Sequence, residues 1–249
     1  MNRQDVKNYN DLAEFLSEYS RFPKRLYHYT TYDSLLHILN GKSFRLTKTS
    51  LLNDKKESEF SNGNNFYVMS MTSEKEYISM WSMYGKPSGI KIRIDFSKSL
   101  FKECFNIQNI YTDACKQTHL FAQENISNFN NTCALGYIAY IDKEKNTFKY
   151  NSKPFDEIAV NSKALDYMAG FLKYEAWEFE KEIRARISAS NALSCNYLYM
   201  DISDRLIRDI HVTFNPWLSD ELKEAIVDNL GYFAIKCSES DYTGQIDEL

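Results

Sequence analysis

"GIKIRIDF", residues 89–96, alternates without a break. Ile90, Ile92, Ile94 and Phe96 fall on one side of an extended chain, and Lys91, Arg93 and Asp95 fall on the other. Successive side chains of a strand point to opposite faces, so a period of two predicts a half-buried strand with one face on a core. Upstream, Val6, Tyr9, Leu12, Phe15, Leu16 and Tyr19 recur at helical spacing and predict an amphipathic helix over 5–20. "RLYHYT" (25–30) reads as a strand. "TTYDSLLHILNGK" (30–42) reads as a helix with Leu35, Leu36, Ile38 and Leu39 on its buried face. Thr30, Thr31 or Asp33 caps its start and Gly41 stops it. "SFRLTK" (43–48) is a short strand, "NFYVMSMT" (65–72) a continuous apolar strand, and "SEKEYISMWSMYG" (73–85) a short helix.

Downstream, residues 97–134 are polar and patternless and read as an insertion. "LGYIAYID" (135–142) is a strand, and a helix carrying Leu165, Met168, Ala169 and Leu172 runs from about Ser162 to Tyr174. It leads into "WEFEKEIRARI" (177–187), which alternates again. "LIRDIHVTF" (206–214) reads as a strand, "LSDELKEAIVDNL" (218–230) as a helix and "YFAIKC" (232–237) as a strand. Strands interleaved with short helices define an α+β or mixed α/β fold. At 249 residues one domain is expected over 1–249: an N-terminal helix in 1–22, a first half of the core in 24–96, the insertion in 97–134 and a second half in 135–249.

Composition narrows the function classes. Apolar residues make up 43% and aromatic residues 15%, enough for a sizeable core rather than a disordered chain. Eight glycines and four prolines are too few for a many-turned sandwich. A formal charge of −4 and an isoelectric point near 5.7 give no electrostatic reason to expect a nucleic-acid backbone as main partner. Five scattered cysteines without a C-x-x-C pair suit reduced thiols in the cytoplasm. The start "MNRQDVKNYN" is polar, and no apolar run approaches the roughly 18 residues that a membrane span needs. No membrane partner and a cytoplasmic location are therefore expected.

Three stretches can carry chemistry. In "EFEKEIRARI" (178–187), read as one strand, Glu180, Glu182, Arg184 and Arg186 share a face opposite Phe179, Ile183, Ala185 and Ile187. Carboxylates at i and i+2 lie roughly 6–7 Å apart along such a strand, where one can act as a base while its neighbour, or Arg184, sets its charge state. The plainer reading is a solvated face of weak surface pairs. In "KRLYHYTT" (24–31), His28, Tyr29 and Thr30 end a strand just before a helix N-terminus, a place suited to a nucleotide-type ligand. The plainer reading there is a satisfied structural histidine. In "YVMSMTSEKEYISMWSMYG" (67–85), Ser70 ends a strand and Trp81 and Tyr84 share a helical face. Such a pair is either core or a stacking wall for a flat ring. The loop residues Asn53, Asp54, Glu57 and Glu59 match no established cation loop. The four histidines and five cysteines form no zinc signature, and no nucleophile elbow, P-loop or G-x-G-x-x-G occurs, so no metal is expected.

Taken in order, "LYHYT", "LLHIL" with "FRLT", Asn53-Asp54-x-x-Glu57, "SMT…S-x-W-x-x-Y-G" and "E-x-E-x-R" resemble the prokaryotic family catalogued as domain of unknown function 2971. The resemblance covers roughly 24–100 and 165–235. Two positions depart from the family pattern: Lys55 stands where a proline usually follows "ND", and Lys173-Tyr174-Glu175 stands where a lysine–histidine–proline run is common. That family in turn resembles the ADP-ribosyltransferase superfamily. The resemblance implies a split, twisted mixed β-core with flanking short helices and NAD, as substrate, held in its cleft. It places His28 at the adenosine ribose with Thr30 beside it and Tyr29 adjacent, and Ser70 on the second motif's strand. It sets Trp81 or Tyr84 against a ring of NAD, and Glu182 with Glu180 at the catalytic position. Arg184 either holds the pyrophosphate or locks the glutamates. The activity implied is transfer of ADP-ribose to a macromolecular acceptor, protein or nucleic acid, by a toxin or phage-defence effector that a partner protein neutralises. An NAD glycohydrolase and a non-catalytic nucleotide- or protein-binding module on the same fold are the alternatives.

Overall fold

The computed structural model describes residues 1–55, 57, 65–85, 88–95, 110–112, 133–189 and 194–245. Its helices in chain order are α1 (Tyr9–Ser17), α2 (Tyr32–Gly41), α3 (Ile78–Tyr84), α4 (Ser162–Tyr167), α5 (Asp204–Asp209) and α6 (Asp220–Gly231). Its strands are β1 (Arg25–Thr31), β2 (Ser43–Lys48), β3 (Asn65–Thr72), β4 (Gly89–Asp95), β5 (Ile110–Tyr111), β6 (Cys133–Tyr137), β7 (Ala139–Asp142), β8 (Thr147–Tyr150), β9 (Lys153–Ala159), β10 (Leu172–Tyr174), β11 (Glu182–Ala189), β12 (Tyr197–Asp201), β13 (His211–Phe214) and β14 (Lys236–Ser238). The fold is mixed α/β, with parallel and antiparallel pairs and short helices. Most of the 97–134 insertion, together with Phe96 and Glu59, lies outside the described residues.

The chain divides into two compact units. The first comprises Met1–Phe22, Arg45–Ser70 and Phe105–Met200, and the second Pro23–Phe44, Met71–Cys104 and Asp201–Leu249. In the second unit β14, β13, β4 and β1 lie side by side, β14 parallel to β13 and β4 antiparallel to both β13 and β1. The period of two in β4 has the predicted effect. Ile90, Ile92 and Ile94 share a buried face with Leu26, Val212 and Phe214, and Lys91, Arg93 and Asp95 point the other way. Helix α3 packs on β1, and α5 on β4. Of the three candidate caps for α2 the side chain of Thr31 is used, accepting from the Ser34 N–H, and Lys42 ends the helix in the left-handed region at φ +47°. Gly89 must be glycine: a Cβ there would run into the backbone of Gly85.

In the first unit β3, β2, β12 and β5 run in that order, with β11 pairing both β3 and β6, and a second sheet has the order β10-β7-β8-β9. Helix α1 is capped by Asn8, which accepts from the backbone of Asn10 and Asp11, and it buries Leu12, Phe15 and Leu16. Phe15 meets Tyr150 and Phe155 edge-on.

Several elements differ from the sequence reading. The 5–20 helix is shorter, with separate 3-10 turns at Arg3–Asp5 and Tyr19–Arg21. "LGYIAYID" breaks at Ile138, so that β6 joins β11 while β7 joins β8 and β10 in the other sheet. The helix from Ser162 stops at Tyr167, because Gly170 at φ +81° turns the chain into β10. "LIRDIHVTF" is α5 followed by β13, since the Ser203 hydroxyl caps a helix by accepting from the Leu206 N–H. "YFAIKC" contributes only its last two residues to β14 (Lys236–Ser238), after Ala234 at φ +55°.

Candidate functional site

The E-x-E-x-R run is not one strand. Glu175–Glu180 form a 3-10 turn, Lys181 reverses the chain in the left-handed region at φ +46°, and β11 begins at Glu182. Glu180 therefore reaches the cluster from the turn, whereas Glu182 and Arg184 share one face of the strand. That face is not solvated: Glu182 is 2% exposed and Arg184 0%. The Arg184 guanidinium forks onto Glu182, with Nε donating to Oε1 at 2.7 Å and Nη2 to Oε2 at 3.1 Å. Its Nη1 donates to Glu57 Oε2 at 2.5 Å and to the Gly170 carbonyl at 3.0 Å. A buried lysine on β10 closes the group. Lys173 Nζ lies 2.5 Å from Glu180 Oε2, 2.8 Å from Glu182 Oε2 and 3.5 Å from Glu57 Oε1. Tyr140, opposite Lys173 in the parallel β7–β10 pair, accepts from the Glu182 N–H through its hydroxyl.

Glu57 of the Asn-Asp-x-x-Glu motif and the E-x-E-x-R run, far apart in sequence, thus meet in one buried ion cluster. Burial by itself raises the Glu182 pKa, but Arg184 and Lys173 outweigh it and hold the carboxyl at about 2. Burial pulls Lys173 down, and Glu182 and Glu180 more than reverse it, so the ammonium keeps its proton. Arg184 is likewise held charged by Glu182 and Glu57 against its burial. The arrangement fixes an ionised carboxylate in one orientation. Arg186, next on that face, is half-buried, with its guanidinium 4.6 Å from the Phe171 ring centroid and a donor on the Ala169 carbonyl.

The other candidates fall elsewhere. His28 and Thr30 are half-buried on β1, on the face that carries the isoleucines, and they belong to the second unit, whereas Glu180, Glu182 and Arg184 belong to the first. Tyr29 points to the opposite face, where its hydroxyl accepts from the Tyr77 N–H and its ring meets Trp81 edge-on at 4.8 Å. Trp81 is fully buried, and its Nε1 donates to Glu76 Oε1 at 2.9 Å. Tyr84 is half-buried at the end of α3, and Ser70 is half-buried in β3. The structure brings Tyr29 and Trp81 together, and Glu180, Glu182 and Arg184 together.

Beside Trp81 lies a second buried lysine. Lys91 is 2% exposed, donates to the Lys75 carbonyl at 2.6 Å and stands 3.6 Å from Glu76. Burial lowers its pKa to about 8, and the attraction of Glu76 offsets only part of that. Glu76 also accepts from the Ser240 hydroxyl and the Asp241 N–H, which ties residues 240–241 to this core. Sequence reasoning passed over Lys173, Lys91 and Glu76. Lys173 had a signal, its place as first residue of the run preceding E-x-E-x-R; Glu76 had none. Among the described residues, no three His, Cys, Asp or Glu side chains are placed to hold a metal ion, and no helix is long and apolar enough to cross a membrane.

Fold and cluster define a mixed α/β protein in which Glu57, Lys173, Glu180, Glu182 and Arg184 meet in one buried ion cluster. The sequence model of one family, described as a protein of unknown function (DUF2971), matches residues 80–185, from α3 to β11, and includes Lys91, Lys173, Glu180, Glu182 and Arg184. No curated protein and no solved structure matches the chain.

Proposed function

We propose that this chain is an ADP-ribosyltransferase-like enzyme on a split β-core, which cleaves the nicotinamide glycosidic bond of NAD and passes ADP-ribose to a macromolecular acceptor. The observation that supports the reading is Glu182: a late-strand glutamate, ionised and oriented by Arg184 and Lys173. Cleavage of that bond builds positive charge on the ribose, and a carboxylate that is charged and fixed in advance stabilises it without reorganisation. In the conformation described, neither Glu182 nor Trp81 offers surface to a ligand. The reading therefore requires the cluster to open, with Lys173 or Glu57 giving way.

That same burial favours a second reading, a non-catalytic nucleotide- or protein-binding module in which the E-x-E-x-R run is a structural clamp. Nicotinamide release from NAD by the wild-type protein, beside Glu182→Gln and His28→Asn, separates the two. Release that is lost in Glu182→Gln supports the enzyme, and the fate of the ADP-ribose then distinguishes transfer from hydrolysis. His28→Asn, outside the buried cluster, guards against a Glu182 variant that merely fails to fold. No release, with no NAD binding by calorimetry, leaves the clamp.

A further inference from the structure

We propose that the polar sheet face of the second unit around His211 binds a phosphate dianion, carried either by inorganic phosphate or by the end group of a nucleotide. Strand register builds this face. In one row Lys236, His211, Arg93 and Tyr27 stand side by side across β14, β13, β4 and β1; in the next row Ser238, Thr213, Lys91 and Tyr29 do the same. Residues paired across neighbouring strands project to the same side, so cations from two strands flank His211 on the face that carries the hydroxyls of Ser238 and Thr213.

Such a row is unfavourable on its own, because like charges directly opposite one another repel. The acidic groups nearby relieve it only in part. Asp95 is shared between Arg93 at 3.3 Å and Arg25 at 3.5 Å. Glu76 serves Lys91, Asp241 serves Lys75, and Glu239 serves Lys223. Among the described residues the buried Arg93 Nε has no hydrogen-bond partner, although Asp95 Oδ1 stands 3.3 Å away. Lys236 is exposed, and Arg93, His211 and Ser238 are half-buried, so the row is open to a solute.

The hydroxyls are already arranged. His211 Nε2 lies 3.0 Å from Ser238 Oγ, which lies 3.3 Å from Thr213 Oγ1. Burial, then Arg93, Lys236 and Lys91, lower the His211 pKa against the weaker pull of Asp95. A phosphate dianion adds negative charge beside Lys236 and beside Arg93, whose one carboxylate is shared with Arg25, and offers further acceptor oxygens to the guanidinium and to the hydroxyls that line the row.

The test follows the His211 imidazole by NMR as the whole protein is titrated with inorganic phosphate, and separately with ADP, against chloride at matched ionic strength. Bound dianion favours the imidazolium, so the His211 pKa rises with either probe and not with chloride. Affinity falls by about tenfold in Arg93→Gln and in Lys236→Gln, the second an exposed position whose change leaves folding intact. Tighter binding of ADP than of phosphate assigns the site to a nucleotide end group; equal or weaker binding assigns it to free phosphate. An unmoved His211 resonance, a response equal to that in chloride, or full binding in both variants overturns the proposal.

Discussion

Each unit buries a lysine against a tryptophan, and the two lysines end with opposite proton affinities. Lys173 Nζ lies 5.2 Å from the Trp177 ring, and Lys91 Nζ lies 5.7 Å from Trp81 and 5.3 Å from Tyr27. Both lose nearly all contact with water, which penalises the charged form. Lys173 recovers that penalty from three carboxylates at 2.5, 2.8 and 3.5 Å, and its pKa rises. Lys91 has one carboxylate at 3.6 Å and a carbonyl, and its pKa falls to about 8. The number and closeness of counter-ions, rather than burial, decide whether a buried amine's proton affinity rises or falls.

Breaking the first cluster is expected to have the largest effect. Arg184→Met leaves Glu182 and Glu57 buried without their main cation and costs about 3–5 kcal/mol, read as a lower denaturant midpoint. Lys91→Met, an apolar replacement of similar length, costs less by the same measurement, because Glu76 loses a cation 3.6 Å away but keeps hydrogen bonds from Trp81, Ser240 and Asp241. If the two substitutions cost the same, the contrast between the clusters is lost.

Acid should sharpen it next. The folded Glu182 carboxyl titrates near 2 against an ordinary 4.5, so between those values the unfolded chain binds the extra proton. Its contribution is complete above about pH 4.5 and disappears as pH falls through 2, and Glu182→Gln removes that segment from a stability–pH curve. Lys91 gives the alkaline limb, with a slope of the same sign. Between pH 8 and 10.5 the folded amine has shed a proton that the unfolded chain retains, so stability rises with pH across that window. Thermal melts of Lys91→Met over pH 7–10.5 should lack the rise. The smallest effect is local: Thr31→Ala removes the α2 cap and costs about 1 kcal/mol wherever the second unit's unfolding is followed.

The contrast also marks how far the sequence could be read. The strand β4 was legible because its alternation is uninterrupted and one face meets a core. Thr31 was legible as a candidate cap from its residue type. The break at Lys181 was not, because Glu178, Phe179 and Glu180 continue the alternation of β11 while sitting in a 3-10 turn. A period-two pattern gives no sign of one lysine in the left-handed region. α5 was hidden for a related reason: Leu206, Ile207 and Ile210 look like strand residues, and only Ser203 with Asp204 announced a helix start. The E-x-E-x-R residues were found, but their burial was not. Charge alternation reads as surface until Glu57 and Lys173, contributed from distant segments, are seen to neutralise it.

The interleaving of the two units has a consequence during synthesis. β1 and β4 leave the ribosome long before β13, the strand that completes their sheet on the β4 side. At roughly 5–20 residues per second the nascent β4 waits on the order of ten seconds with one edge unpaired. An unpaired strand invites pairing with another chain, and charged side chains along it discourage that. Lys91, Arg93 and Asp95 thus put charge on an unfinished sheet before Lys91 becomes the buried amine, and Arg93 part of the cationic row, of the finished protein.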